Sequence, residues 1–246
     1  VSDEKLIRQV VEALERLADP VAYRQKYQAE DAVMLFAMGD GNHSFATAKA
    51  IWEQLKADAV DPAAIMDHPA RYALVELVNL HDPGLEFEPI HRVMFNLDTD
   101  HLLKRMESFF AERNTPFSFI PCATLVETEQ KASKEAGCHA FPGVLAGRFG
   151  VCKVESPEYT LVVATLQACL DQYMEEQPEV RIDYIHGEQS VTDLGSKADN
   201  AGFYLPSISK HDLFRTIIFD GALPRKTFSM GEADEKRFYL ECRKIK

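Results

Sequence analysis

Residues Met34–Ala50 read MLFAMGDGNHSFATAKA. The apolar run just before the glycine, Val33 to Met38, predicts a buried strand that stops at Gly39. Asp40-Gly41-Asn42-His43 then forms a dense polar turn, and Ser44 is placed to cap a helix running from Phe45 to about Ala57. A strand that turns sharply into a helix gathers free backbone N–H groups and the positive end of a helix dipole around its polar side chains. Such a corner attracts anions. Asp40 can hold a metal ion or a substrate hydroxyl there, and His43 can serve as acid, base or phosphate contact. The plainer alternative is a corner in which Asp40 and Asn42 satisfy only local backbone groups. Polar density directly behind an apolar run favours a functional turn.

Upstream, Leu6, Val10, Leu14 and Leu17 are spaced as one face of a helix that ends before Pro20. Downstream, Asp61-Pro62 opens a short helix and His68-Pro69 breaks the chain. Ala70 to Leu80 is apolar enough for a buried strand or a buried helix, and periodicity leaves both open. His81-Asp82-Pro83-Gly84 is a turn. Strands are expected at Phe87–Asn96, Phe117–Ile120, Val180–His186 and Gly202–Leu205, with one or two more in Gly143–Val154. Helices are expected at Asp98–Glu112, Glu127–Gly137, Thr160–Glu176, Glu188–Asp199 and Lys210–Asp220. After Gly221 a basic loop leads to an alternating strand built on Phe238, Leu240 and Cys242. Interleaved strands and helices indicate an α/β fold of mixed α+β type. A boundary near residues 97–115 gives portions 1–105 and 106–246.

The chain has 246 residues with 27 basic and 39 acidic side chains, a net charge of −12. A surface of that sign repels a nucleic-acid backbone, so DNA is not an expected partner. No apolar run approaches the roughly 20 residues of a membrane helix, so no membrane partner is expected. The first residue is Val, as in a processed start or a fragment. Five widely spaced cysteines without a CxxC pair argue against a zinc module and against a secreted disulfide frame. Reduced thiols in a cytoplasmic protein are the expectation.

Two further constellations bear on the turn. A central strand seldom buries an arginine without an anionic partner, which singles out His91-Arg92. Pro224-Arg225-Lys226-Thr227-Phe228-Ser229-Met230-Gly231 carries two adjacent cations and two hydroxyls beside a glycine, with Lys236-Arg237 after it. That loop can cradle a phosphate, although the GxxxxGK[ST] pattern is absent. The histidines at 43, 68, 81 and 91 show no metal-pair spacing such as HExxH. The letters GD and GNH suggest a metallophosphoesterase, but that chemistry needs them on separate loops together with a DxH, which the chain lacks.

DGNHSFATAKA resembles the D-G-H-H-R-x-x-A-A-K turn and helix of the ParB/sulfiredoxin-like superfamily. Four passages together resemble an uncharacterised bacterial family, domain of unknown function 1015. They are FAMGDGNHSFATAKAIWE, HPARYALVELVNLHDPGLEFEPIHRVMF, YLPSISKHDLF and GALPRKTFSMGEADEKRFYLECRKI. Members of that family usually carry a substantial segment before this region, so the chain resembles their C-terminal part. The superfamily resemblance implies a nucleotide or phosphate pocket on the turn. Its members include nucleotide-driven partition proteins, sulfiredoxins and kinases of free serine, and the bacterial family often neighbours serine-biosynthesis genes.

Gly41 matches the tight-turn glycine and His43 the second His of the motif. Asn42 stands where sulfiredoxins carry their catalytic Cys, which excludes their chemistry. Ser44 stands where the superfamily has its phosphate-binding Arg, so Arg92, Arg225 or Lys226 is expected to supply the charge. The resemblance implies a cytoplasmic, nucleotide-dependent phosphotransferase acting on a small hydroxyl substrate such as serine. Asp40 and His43 are its candidate catalytic residues, with Asp40 also a metal ligand. Gly41, Asn42, Ser44, Arg92, Arg225 and Lys226 bind the cofactor, ATP or ADP with Mg²⁺. The alternative is a ParB-like nucleotide-binding regulatory module without catalysis.

Overall fold

The computed structural model describes residues 2–30, 32–39, 41–132 and 136–230. They divide into two compact units between Asp82 and Pro83, inside the turn expected from His81-Asp82-Pro83-Gly84. Asp40, Gly231, Lys236, Arg237 and the expected strand around Phe238 lie outside the described residues.

The first unit is helical. Helix α1 (Glu4–Leu17) starts where the Asp3 carboxylate accepts from the N–H groups of Lys5 (2.8 Å) and Leu6 (3.2 Å). Pro20 does more than end this pattern. It occupies the first turn of α2 (Pro20–Tyr27), where its missing N–H leaves no donor unsatisfied, and Asp19 caps that helix through Ala22 N–H. Helix α3 spans Asn42–Asp58 and buries Trp52, whose ring stacks on His68 at 6.5 Å. Two 3₁₀ turns, Pro62–Ile65 and Pro69–Arg71, are capped by the side chains of Asp61 and His68.

Two expectations fail in this unit. Val33 to Met38 is not a buried strand: the segment is irregular, and Phe36 and Met38 are exposed. Residues 72–79 are exposed and irregular as well, so Ala70 to Leu80 is neither a buried strand nor a helix. An apolar run becomes a strand only when another strand completes its backbone hydrogen bonds. No strand among the described residues lies before Phe87.

The second unit is mixed α+β, as the interleaving predicts. Its elements are β1 (Phe87–Pro89), β2 (His91–Phe95), α4 (Thr99–Ala111), β3 (Phe117–Pro121), α5 (Leu125–Lys131), β4 (Cys138–Leu145), β5 (Arg148–Glu155), α6 (Val162–Glu176), β6 (Arg181–Ile185), α7 (Glu188–Gly195), β7 (Asn200–Phe203), α8 (Lys210–Asp220) and β8 (Phe228–Met230). Six strands form an antiparallel sheet in the order β3-β5-β4-β7-β2-β6. The expected single strand Phe87–Asn96 is broken at Ile90. The first piece pairs with β8 in a separate ribbon, and the second enters the large sheet.

Strand alternation supplies two apolar faces. Met94, Phe141, Leu145, Cys152, Ala201 and Phe203 pack with Leu102, Met106, Leu166 and Leu170 of α4 and α6. Val93, Val144 and Tyr204 pack with Val191 of α7, and Leu125 of α5 lies against the same group. Helix α7 approaches β7 at backbone contact: a Cβ on Gly195 would lie 2.8 Å from Gly202 N. No helix among the described residues is long and apolar enough to cross a membrane.

Candidate functional site

The glycine turn opens α3 three residues earlier than its sequence predicts. Gly41 takes the left-handed conformation (φ 75°, ψ 18°) and is itself the N-cap residue, so the helix begins at Asn42. Ser44 therefore sits within the first turn instead of capping it. Phe45 N–H donates to the Gly41 carbonyl (2.9 Å), and Thr47 Oγ1 to the His43 carbonyl (2.9 Å). Glycine has no side chain to cap the turn, no acid occupies the first turn, and Asn42, His43 and Ser44 are all exposed. Among the described residues, no side chain caps the N–H groups of these three, and the dipole of a 17-residue helix converges on them. Asp40, the candidate metal ligand, lies outside the described residues.

Arg92, Arg225 and Lys226 belong to the second unit, at one end of its large sheet. Three passages singled out from the sequence meet there: residues 86–92, 204–210 and 224–230. The β1–β8 ribbon joins the first to the third, with Phe87 stacked on Phe228 at 4.1 Å. Leu205 N–H donates to His91 Nδ1 (3.0 Å), and Lys210 Nζ to the Leu85 carbonyl (2.7 Å). A shallow cleft of about 480 Å³ lies between residues 83–89 and 207–210, with Glu86, Glu88, Ser207, Ser209 and Lys210 on its walls.

Arg92 is fully buried on β2. Its Nε donates to Gln167 Oε1 (2.8 Å), its Nη1 to the Ile90 carbonyl (2.7 Å) and its Nη2 to the Arg225 carbonyl (3.0 Å). The Tyr184 ring lies 4.6 Å from the guanidinium carbon, and Gln167 in turn donates to Asp171 (2.8 Å). Burial lowers the Arg92 pKa to about 10, opposed by Tyr184 and Asp171. The group still carries its charge at neutral pH. Its contacts are to the protein itself, so Arg92 reaches a ligand only through the loop it holds. Arg225 and Lys226 are exposed on that loop.

His91 points to the other face. Burial first, then the nearby charges of Arg92 and His186, lower its pKa to about 4, and its ring tilts against Tyr204 at 5.8 Å. A neutral imidazole accepting a backbone N–H is a structural group. The sequence reading misses Gln167, Asp171 and Tyr184. Gln167 leaves a signal, as a polar residue inside the buried stripe of α6 between Leu166 and Leu170.

The structure thus brings Arg92 to Arg225 and Lys226, and it places Gly41, Asn42, His43 and Ser44 together on one helical turn. Among the described residues no group of three His, Cys, Asp or Glu side chains is arranged to hold a metal. A family model described as protein of unknown function (DUF1015) matches residues 1–173. The chain belongs to this family. The match takes in the α3 turn, Arg92 and the Gln167–Asp171 support, while Arg225 and Lys226 lie beyond it. No curated protein and no solved structure matches this DUF1015 chain.

Proposed function

We propose that this DUF1015 protein is a cytoplasmic, nucleotide-dependent phosphotransferase acting on a small hydroxyl substrate such as serine. The observation that carries the reading is the first turn of α3, with Gly41 in the left-handed conformation and the N–H groups of Asn42, His43 and Ser44 uncapped by any described side chain. Three convergent N–H groups at a helix start suit a phosphate of ATP or ADP. The same turn carries the resemblance to the ParB/sulfiredoxin-like superfamily. In this reading the exposed His43 contacts the transferred phosphoryl group or takes the substrate proton. Asp40 positions Mg²⁺, which offsets charge on the phosphates.

Calorimetric titration of the full chain with ATP and ADP, with and without Mg²⁺, tests the proposal together with phosphate transfer to serine. Binding is expected to tighten with Mg²⁺ and to lose that dependence in Asp40→Ala. His43→Ala is expected to retain binding and lose transfer. Absence of binding to both nucleotides overturns the reading. Binding without transfer to any small hydroxyl compound replaces it with a regulatory nucleotide module.

A further inference from the structure

This chain pairs its cations in several places. Arg148 meets Asp100 at 2.7 Å, Arg105 bonds Glu176 at 2.8 Å, and Lys131 meets Glu127 at 2.7 Å. Arg92, Arg225 and Lys226 sit together instead. Among the described residues none of the three has a carboxylate at ion-pair distance. Yet Arg92 is bonded to the main chain of Arg225, and Lys226 is the next residue. Asp171 offsets the charge of Arg92 through Gln167, whereas Arg225 and Lys226 stand exposed on the turn. Two exposed cations on a turn that a buried arginine holds in place are presented to an anion from outside.

The corner is also built. The Arg92 fork holds the Arg225 carbonyl from beneath, and Gln167 with Asp171 and the Tyr184 face hold the fork. Thr227 is buried, and its Oγ1 closes the turn on the Pro224 carbonyl (2.7 Å). Lys226 takes the left-handed conformation (φ 55°), so Arg225 and Lys226 form the turn itself. The Phe87–Phe228 stack secures its far side. Two exposed cations thus sit on a turn fixed at both ends, so little of their order has to be created on binding.

We infer that the Pro224–Thr227 turn binds a phosphoryl group, with Arg225 and Lys226 contacting its oxygens and Arg92 as the positioning residue beneath them. The choice of phosphate over other oxyanions rests on the phosphotransfer reading. The site itself requires no catalysis.

The test uses the full chain and titrates inorganic pyrophosphate, ATP and phosphoserine by calorimetry at several salt concentrations. Arg225→Ala/Lys226→Ala changes only exposed side chains and is expected to weaken pyrophosphate about tenfold or more and to flatten its salt dependence. Arg92→Lys keeps a charge but loses the fork. It is expected to weaken pyrophosphate about fivefold with the salt slope unchanged, which a merely structural role would not produce. Should that variant not fold, Thr227→Val loosens the same turn and is expected to do likewise. ATP binding through the turn identifies a nucleotide source for the phosphate, and phosphoserine binding a phosphorylated small molecule; both support the site. Undiminished pyrophosphate binding in the double variant overturns it. Undiminished binding in a folded Arg92→Lys or Thr227→Val variant overturns the positioning role. Pyrophosphate binding that depends on Arg225 and Lys226, without ATP binding or serine phosphorylation, retains the site and removes the phosphotransfer reading alone.

Discussion

The two units hold their helices in different ways. Helix α1 has no buried residue, and Leu6, Val10 and Leu17 of its apolar face are exposed. Its order comes from a capping aspartate and from local periodicity. Helix α6 buries eight residues against a six-stranded sheet. Its order comes from tertiary packing. In the first unit the chemistry of each segment decides its shape. In the second, each segment takes the shape its neighbours require, and a buried arginine or a glycine-on-glycine contact can be sustained.

Core truncation should separate the units most strongly. Leu166→Ala is expected to cost about 2–5 kcal/mol of second-unit stability through lost burial and an unfilled cavity. Val10→Ala should change first-unit stability by less than about 0.5 kcal/mol. The sole tryptophan, Trp52, reports the first unit by fluorescence, and amide exchange in β2, β4 and β7 reports the second. If the Trp52 transition moves as far as amide exchange does in Leu166→Ala, the contrast between the units is broken.

Acid should act on the second unit next. His91 has a folded pKa of about 4, below its ordinary value of 6.5, so between those values the unfolded chain binds the extra proton. Stability contributed by the neutral imidazole is present above pH 6.5 and is lost as the pH falls toward 4. The loss approaches about 3 kcal/mol at most. Urea melts followed by amide exchange from pH 7 to 4 should show that slope, and His91→Asn should flatten it.

The sequence carried the second unit well because each of its signals has a physical partner in the fold. Lys210–Asp220 is helical as expected, and Asp98–Glu112 contains α4. Glycines mark β4 and β5, although Gly143 and Gly150 lie within those strands and Ala146-Gly147 makes the turn. The first unit shows the limit. Val33–Met38 has the composition of a strand, but composition cannot supply the second strand of a ladder. The candidate site divides in the same way. Gly41, Asn42, His43 and Ser44 are adjacent in sequence, so their clustering was legible. The tie between Arg92 and Arg225 spans 133 positions and was not, although a buried arginine on a strand signalled that some partner had to exist.

Two smaller effects sharpen the comparison. Gly195→Ala places a methyl against the Gly202 backbone and is expected to cost about 1–3 kcal/mol by overpacking, read by denaturant melts of the second unit. Asp3→Ala removes the cap of α1 and is expected to cost about 1 kcal/mol of helix stability. Far-UV circular dichroism and amide exchange of residues 4–8 should detect the resulting fraying. A cooperative unfolding of the whole chain in Asp3→Ala would mean that α1 carries more than its local contacts.

The β1–β8 ribbon has a consequence for how this protein can be rebuilt. Phe87 lies opposite Met230, so the polypeptide enters and leaves the sheet domain through one doorway. A domain with such a doorway tolerates circular permutation. Its ends can be joined by a short linker and new ends opened at the Ala146-Gly147 hairpin between β4 and β5. The order of elements would then change while every strand kept its neighbours.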